Sequence, residues 1–480
     1  MVVKEEVPMI GRVEEVKALR RAYESAESEF VAVYGRRRVG KTFLVREVFN
    51  GHFTFHHSGL ENASKREVLE SFGEALKKQG LPKCSRLRTW IQAFSALETV
   101  IDASSDRRKV VFLDELPWYD TPKSGFLTAF ESFWNGWASM RKDVLLIVCG
   151  SATSWIVNKI IRNRGGLHNR VTRQLPVAPF TLHECEEFAR YKHLEFDRRQ
   201  IAECYMAFGG VAYYWNLLQE GMSAAQNFDR LFFGAADEMR NEYSRLFASL
   251  FKSPTRHLAI VELLGTRKIG MTREEIVAKL PEGSGGEVTA CLQELCDCGF
   301  LRRYHALGHA KKGAVYQLID NYVLFYFQFI KNRRGTDERF WTISYASPAV
   351  NAWRGLAFER LCLWHIPQLR AALGISGILA DVYAWRGSRA DKETKPVQID
   401  LLIDRGDNMI DLCEMKFCGG EYEIDAQEAR NLAERAEVFR RQTGTRKGVR
   451  TVLVTTYGVK RNLHAGMVQS EITLNDLFRE

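Results

Sequence analysis

The run Gly35-Arg36-Arg37-Arg38-Val39-Gly40-Lys41-Thr42 sets two glycines, with four residues between them, ahead of a lysine and a hydroxyl. That order suits the phosphates of a nucleotide. Glycines let the chain turn so that successive backbone N–H groups face an anion, and a helix that follows adds its positive N-terminal end. Lys41 would reach the β- and γ-phosphates of ATP, and the Thr42 hydroxyl would hold Mg²⁺. A second run, Val110-Val111-Phe112-Leu113-Asp114-Glu115, ends four apolar residues in two carboxylates. At the C-terminal end of a buried strand, Asp114 would complete the Mg²⁺ shell. Glu115 would polarise an attacking water, which favours hydrolysis over binding alone. Ser151, in Cys149-Gly150-Ser151-Ala152-Thr153, would orient that water or cap the next helix.

A different chemistry is written near the C-terminus. Gln398–Ile403 and Met409–Phe417 read as two strands joined at the turn signal Gly406-Asp407-Asn408. Glu414 and Lys416 share a strand face. A three-residue loop would pair residue 405 with 409 and set Asp400 opposite Glu414, whereas a four-residue loop would put Asp400 on the other face. Facing carboxylates repel unless a cation lies between them, and oxygen ligands suit Mg²⁺ or Mn²⁺. Lys416 beside such a metal would help lower the pKa of a bound water and stabilise charge on a phosphodiester. The alternative is a structural charged cluster without activity. This Asp400…Glu414-Met415-Lys416 pattern resembles the PD-(D/E)XK, restriction-endonuclease-like core, with Ile399 where the name-giving proline would stand. The resemblance implies that an acidic residue on the first helix joins the site. Glu359 fits that place, so the expected metal ligands are Glu359, Asp400 and Glu414.

These residues need a scaffold. Short β-rich apolar runs at Phe30–Tyr34, Val110–Leu113 and Val144–Val148 alternate with helical stretches at Glu14–Ser25, Lys41–Phe49 and Leu127–Met140, and Val171–Leu175 reads as a further strand. Alternation of this kind predicts an α/β fold, a parallel sheet covered by helices on both faces. The pattern is helical from Leu182 to about Arg240, broken at Gly209-Gly210. Three short helices (Pro254–Leu264, Arg273–Leu280, Glu287–Cys298), a strand, a loop at His305–Gly313 and a second strand follow, in the order of a winged helix. The charged stretch Lys331–Arg339 reads as linker. The expected segments are a P-loop ATPase core at 1–180, a helical lid at 181–245, a winged helix at 246–330, a linker at 331–345 and a restriction-endonuclease-like α/β domain at 346–480. A reading helix needs basic and amide side chains. This one carries Glu287, Glu294 and Asp297, with Gln293 the obvious reader, so the module either meets DNA, with Lys311 and Lys312 on phosphates, or joins the ATPase to the last domain.

Taken together, Ile10-Gly11-Arg12, GRRRVGKT, LDELPW, CGSATSW, GGLHNRVT, PFTLHE and GGVAYYW resemble the archaeal-type AAA+/STAND-like P-loop ATPases, proteins that end in a domain of unknown function. The resemblance implies that Gly11 and Arg12 sit near the adenine. It also makes Arg170 the arginine expected before the fifth strand, either a finger to a neighbour's γ-phosphate in a homo-oligomer or a structural ion-pair residue. Ala212 stands where the family's lid motif more usually has proline.

The 480 residues are 46% hydrophobic and 26% charged, which excludes wholesale disorder, and the net charge of +9 permits a nucleic-acid partner. The ten cysteines lack C-x-x-C spacing, so Cys296/Cys298 and Cys413/Cys418 read as buried small residues rather than zinc ligands. Acidic residues stand where a signal peptide would carry its apolar run, and Val144–Gly150 is too short to span a bilayer. The expectation is a cytoplasmic protein with no membrane partner, an ATP-driven switch coupled to a metal-dependent nuclease-like domain acting on DNA. The alternative is a regulatory ATPase whose later domains bind DNA or protein without cleavage.

Overall fold

The computed structural model describes residues 9–162, 165–234, 238–251, 253–280, 285–305, 307, 313–333, 335, 337–387 and 397–480. The chain is mixed α/β and divides into two compact units, Met1–Pro179 and Phe180–Glu480.

The first unit runs α1 (Val13–Glu24), β1 (Glu29–Tyr34), α2 (Lys41–Val48), β2 (Phe55–Ser58), α3 (Lys65–Lys78), α4 (Trp90–Ala103), β3 (Lys109–Asp114), α5 (Phe126–Gly136), β4 (Val144–Gly150), the single turn α6 (Thr153–Trp155) and β5 (Arg173–Pro176). The strands form one parallel sheet in the order β2-β3-β4-β1-β5. Alternate side chains of each strand go to opposite faces, and both faces are apolar. Phe30, Ala32, Val111, Leu113, Leu146 and Val148 pack with α3, α4 and α5. Val31, Val33, Val110, Phe112, Leu145 and Ile147 pack with α1 and α2. Continuous apolar runs such as VLLIVCG therefore become strands buried on both sides. Sequence reading did not single out β2. Its FHHS run carries two histidines, but His57 is buried and hydrogen-bonded between Tyr119 (2.7 Å) and Ser71 (3.0 Å).

The second unit opens with helices α7 (Leu182–Tyr191), α8 (Arg198–Phe208), α9 (Ala212–Asn216), α10 (Ala224–Phe228) and α11 (Glu242–Leu250). There follow α12 (Thr255–Gly265), β6 (Met271–Thr272), α13 (Arg273–Lys279), α14 (Gly285–Asp297), β7 (Leu301–Tyr304) and β8 (Val315–Leu318), the strands forming a small antiparallel sheet in the order β6-β8-β7. Most of the loop expected as a wing, with Lys311 and Lys312, lies outside the described residues. Helices α15 (Asn321–Phe329), α16 (Phe340–Ser344), α17 (Pro348–Trp364) and α18 (Ile366–Ala372) lead to β9 (Ala380–Arg386), β10 (Gln398–Arg405), β11 (Met409–Lys416), α19 (Ala426–Thr443), β12 (Gly448–Thr455) and β13 (Ser470–Thr473). This second sheet has the order β13-β12-β11-β10-β9, antiparallel from β9 to β11 and parallel from β11 to β13.

The segment 331–345 differs from the linker expected there. It holds α16, whose Trp341 is wholly buried against Phe228, Phe325, Phe329 and Trp353, with ring centroids 5.1–5.4 Å apart. The buried Asp229 carboxylate accepts from the Trp341 and Thr342 N–H groups at 2.7 and 3.1 Å, satisfying the start of that helix. Charge in KNRRGTDER hid the aromatic anchor immediately after it.

Candidate functional site

The run Gly35–Thr42 joins the end of β1 to the start of α2, as its spacing predicts. Gly35 is obligatory: its φ is +143°, and a Cβ there would lie 2.2 Å from the Val177 carbonyl oxygen. Gly40 precedes the helix at φ +92°, and Arg38 also takes a left-handed conformation at +70°. The Lys41 ammonium donates to the carbonyls of Gly35 (2.9 Å) and Arg36 (2.8 Å), so it lies along the loop that would hold phosphate. Arg36 and Arg37 are half-buried and Val39 is buried.

Parallel pairing brings the distant carboxylates to this loop. The Thr42 hydroxyl donates to Asp114, 3.0 and 3.2 Å from its two oxygens, at the end of β3. This hydroxyl–carboxylate pair fits the Mg²⁺ of a bound nucleotide. Glu115 follows at φ +47°, a strained backbone that turns its carboxylate toward the end of β4. There the Ser151 hydroxyl donates to Glu115 at 2.8 and 2.9 Å, and the Ser151 N–H donates at 3.1 Å. Of the two roles open to Ser151, its hydroxyl does not cap the next helix; it holds Glu115. Gly11 and Arg12 both have positive φ, and the buried Arg12 guanidinium donates to the Val39 carbonyl at 3.1 Å. Arg170 is exposed, three residues before β5.

In the second unit, Leu401 pairs with Cys413 and Asp404 with Ile410. The joining loop is thus the three-residue one, and the same register carried one step on sets Asp400 across from Glu414. The ladder to β9 shifts register between Ile399 and Leu402, the stretch that contains Asp400. Glu359, on α17, approaches Asp400, and the charge of Glu414 also reaches Glu359. Lys268, just after α12, donates to Glu359 (3.0 Å) and Asp400 (3.3 Å). Glu414 turns instead to Lys416 (2.9 Å) and Arg435, and Lys416 also reaches Glu428 (3.1 Å). In this arrangement Lys268 bridges Glu359 and Asp400, while Lys416 bridges Glu414 and Glu428. Sequence reading missed Lys268, Arg435 and Glu428, which come from other segments at no motif spacing.

Burial, then the charge of Asp400, pushes the Glu359 pKa up to about 7. Burial pulls down on Lys416, yet Glu414, Tyr422 and Glu428 outweigh it and hold its ammonium charged. Glu359 and Asp400 line a cleft of ≈ 520 Å³ with Arg267, Lys268, Arg302, Lys331 and Arg360. On the helix expected to read DNA, Gln293 donates to Asp297 (2.8 Å) and Glu294 bonds His257 (2.7 Å), so these polar groups serve contacts within the protein. Among the described residues no helix is long and apolar enough to cross a membrane.

Residues 9–218 match the family described as an ATPase domain predominantly from Archaea. That stretch is an ATPase domain of the archaeal type. An uncharacterized protein of Methanocaldococcus jannaschii is 24% identical over 366 residues, 73% of this chain and 76% of the relative. Among solved structures, a Walker-type ATPase of Pyrococcus abyssi aligns at 15% identity and TM-score 0.49, over 66% of this chain and 95% of that one. The Aeropyrum pernix ORC2 protein, in its ADPNP–ADP complexes, aligns at 13% identity and TM-score 0.38, over 66% and 92% respectively.

Proposed function

We propose that the protein is an ATP-hydrolysing switch whose second unit carries a metal-dependent, nuclease-like site acting on DNA phosphodiesters. One observation supports the nuclease half above others. The β10–β11 ladder, continued one step beyond Leu401–Cys413, would set Asp400 across from Glu414, with Lys416 two residues on, and Asp400 lines a cleft with basic walls. The donors are of the kind Mg²⁺ takes, oxygens only, and an ammonium already sits between Glu359 and Asp400. Glu359 and Asp400 would hold the ion, with Glu414 the third ligand once released from its basic partners. When bound, the metal would supply a nucleophilic water and neutralise phosphate charge. The basic cleft residues would position the phosphodiester, and Lys416 would stabilise negative charge as it develops.

On the nucleotide side, Gly35, Arg36, Arg37, Arg38, Val39, Gly40, Lys41 and Thr42 would enclose the phosphates, with Gly11 and Arg12 toward the adenine. Thr42 and Asp114 would hold Mg²⁺, and Glu115, fixed by Ser151, would take the proton of the attacking water. Arg170 would act on the γ-phosphate of a neighbouring copy. An Arg170→Ala chain should then keep nucleotide affinity and lose turnover, and wild-type turnover should rise with protein concentration. Concentration-independent turnover by a monomer removes that role.

The second reading is a regulatory ATPase whose later domains bind DNA or protein without cutting. The bridging of the carboxylates by Lys268 and Lys416 favours it, since neither pair then needs a metal. The deciding experiment incubates the purified protein with single-stranded, duplex and branched DNA, with and without ATP and with Mg²⁺ or Mn²⁺. Cleavage that disappears in Asp400→Ala selects the nuclease. Salt-sensitive binding with intact DNA selects the second reading.

A further inference from the structure

The helix pair α12–α14 carries a cluster that neither the nucleotide site nor the carboxylate cleft uses. His257 projects from α12, and Cys291 and Glu294, three residues apart, project from one face of α14. An imidazole nitrogen, the Cys291 sulfur and a Glu294 carboxylate oxygen all lie within 4.8 Å of one another. We propose that His257, Cys291 and Glu294 form a Zn²⁺ site that clips α12 to α14.

The donor set is selective. One nitrogen, one sulfur and one oxygen suit a tetrahedral, borderline-soft ion and do not suit Mg²⁺ or Ca²⁺, which take oxygen. Three protein ligands leave the fourth position to water, and Cys291 and Glu294 are only half-buried, so solvent can supply it. The geometry is close to what the ion requires. With Zn–N about 2.0 Å and Zn–S about 2.3 Å, tetrahedral ligand atoms stand about 3.3–3.6 Å apart. The His257 Nε2–H now donates to a Glu294 carboxylate oxygen at 2.7 Å. Zinc would replace that proton and the thiol proton of Cys291, so binding releases protons.

The frame that holds these side chains is stiff. The His257 ring stacks on Phe251, 3.8 Å between centroids and 13° between planes. Ile260, Val261 and Leu264 of α12 and Val288, Leu292 and Leu295 of α14 are buried in one core. Arg256 and Glu287 form an ion pair between the same two helices. The helices are thus positioned before any metal arrives, and binding costs only small side-chain shifts. No sequence signature marks the site, because its histidine lies on a separate helix from the other two donors.

Cobalt(II) is the probe, since its bond to a thiolate gives a near-ultraviolet charge-transfer band and tetrahedral sites absorb strongly in the visible. Chelator-treated full-length protein is titrated with Co²⁺ and back-titrated with Zn²⁺. The expected result is one thiolate-bound Co²⁺ per chain, displaced by Zn²⁺. The band should vanish in Cys291→Ser, and His257→Gln and Glu294→Gln should each weaken Co²⁺ binding at least tenfold. Zinc should also raise the unfolding midpoint of the wild type and not that of Cys291→Ser. Absence of a thiolate band in the wild type overturns the site. So does a band that persists in Cys291→Ser, which would belong to another of the ten cysteines. The wild-type titration is decisive even where a variant folds poorly.

Discussion

Replacing Lys268 with alanine separates the two readings of the carboxylate cleft. The ammonium lies 3.0 Å from Glu359 and 3.3 Å from Asp400, with side-chain exposures of 45%, 20% and 28% respectively. Fully exposed pairs are worth about 0.2–1 kcal/mol, and breaking a fully buried pair costs about 3–5. For partly exposed groups screened by solvent, the loss should be about 1–2 kcal/mol at low salt, shrinking as salt is added. A metal that must displace Lys268 in the wild type meets no such competitor in the variant. The same energy then returns as Mg²⁺ affinity, about 5–30-fold tighter. The assay is urea unfolding and calorimetric Mg²⁺ titration without nucleotide, in a Lys41→Ala background so that the ATP site is not counted. Mg²⁺ also avoids the nitrogen–sulfur cluster at His257 and Cys291. Tighter Mg²⁺ binding that Asp400→Ala then abolishes supports a metal site gated by Lys268. Unchanged stability together with unchanged affinity would refute the reasoning.

Three further outcomes are expected. Glu115→Gln should bind ATP but hydrolyse it about 10²–10³-fold more slowly, and Ser151→Ala, which frees Glu115, about tenfold more slowly, both read by steady-state turnover. Asp229→Ala leaves the buried N–H of Trp341 unpaired and removes the acceptor of the more exposed Thr342 N–H, and should cost about 2 kcal/mol in urea unfolding, with Asp229→Asn milder. Burial, aided by the charge of His56, holds His57 at a pKa of about 4, below its ordinary 6.5. The unfolded chain therefore takes up the proton first, and stability falls as pH drops from 6.5 toward 4. At pH 5 the loss relative to pH 8 is about 2 kcal/mol, and His57→Asn should remove that part of the pH dependence.

The nucleotide site was legible in the sequence because its chemistry is local. Gly35–Thr42 is one continuous loop, and a short run apolar on every residue and rich in β-branched side chains, such as VVFL or VLLIV, fits a strand buried on both faces. The Asp400–Glu414 register was legible only in part: Gly406-Asp407-Asn408 marked the turn, but a three- or four-residue loop puts Asp400 on opposite faces, and the β10–β11 pairing decided between them. What surrounds those carboxylates was not legible. Lys268 and Arg435 reach them from segments 132 and 21 residues from their partners, and ion pairs between distant segments leave no spacing to read. Trp341 was hidden for the same reason: its anchors, Phe228, Asp229, Phe325 and Trp353, meet it only when the helices close. Local pattern determines which segments become strands, helices and phosphate loops. Which cation neutralises which carboxylate is decided by tertiary packing, because a Coulomb partner is chosen by distance in space and not along the chain.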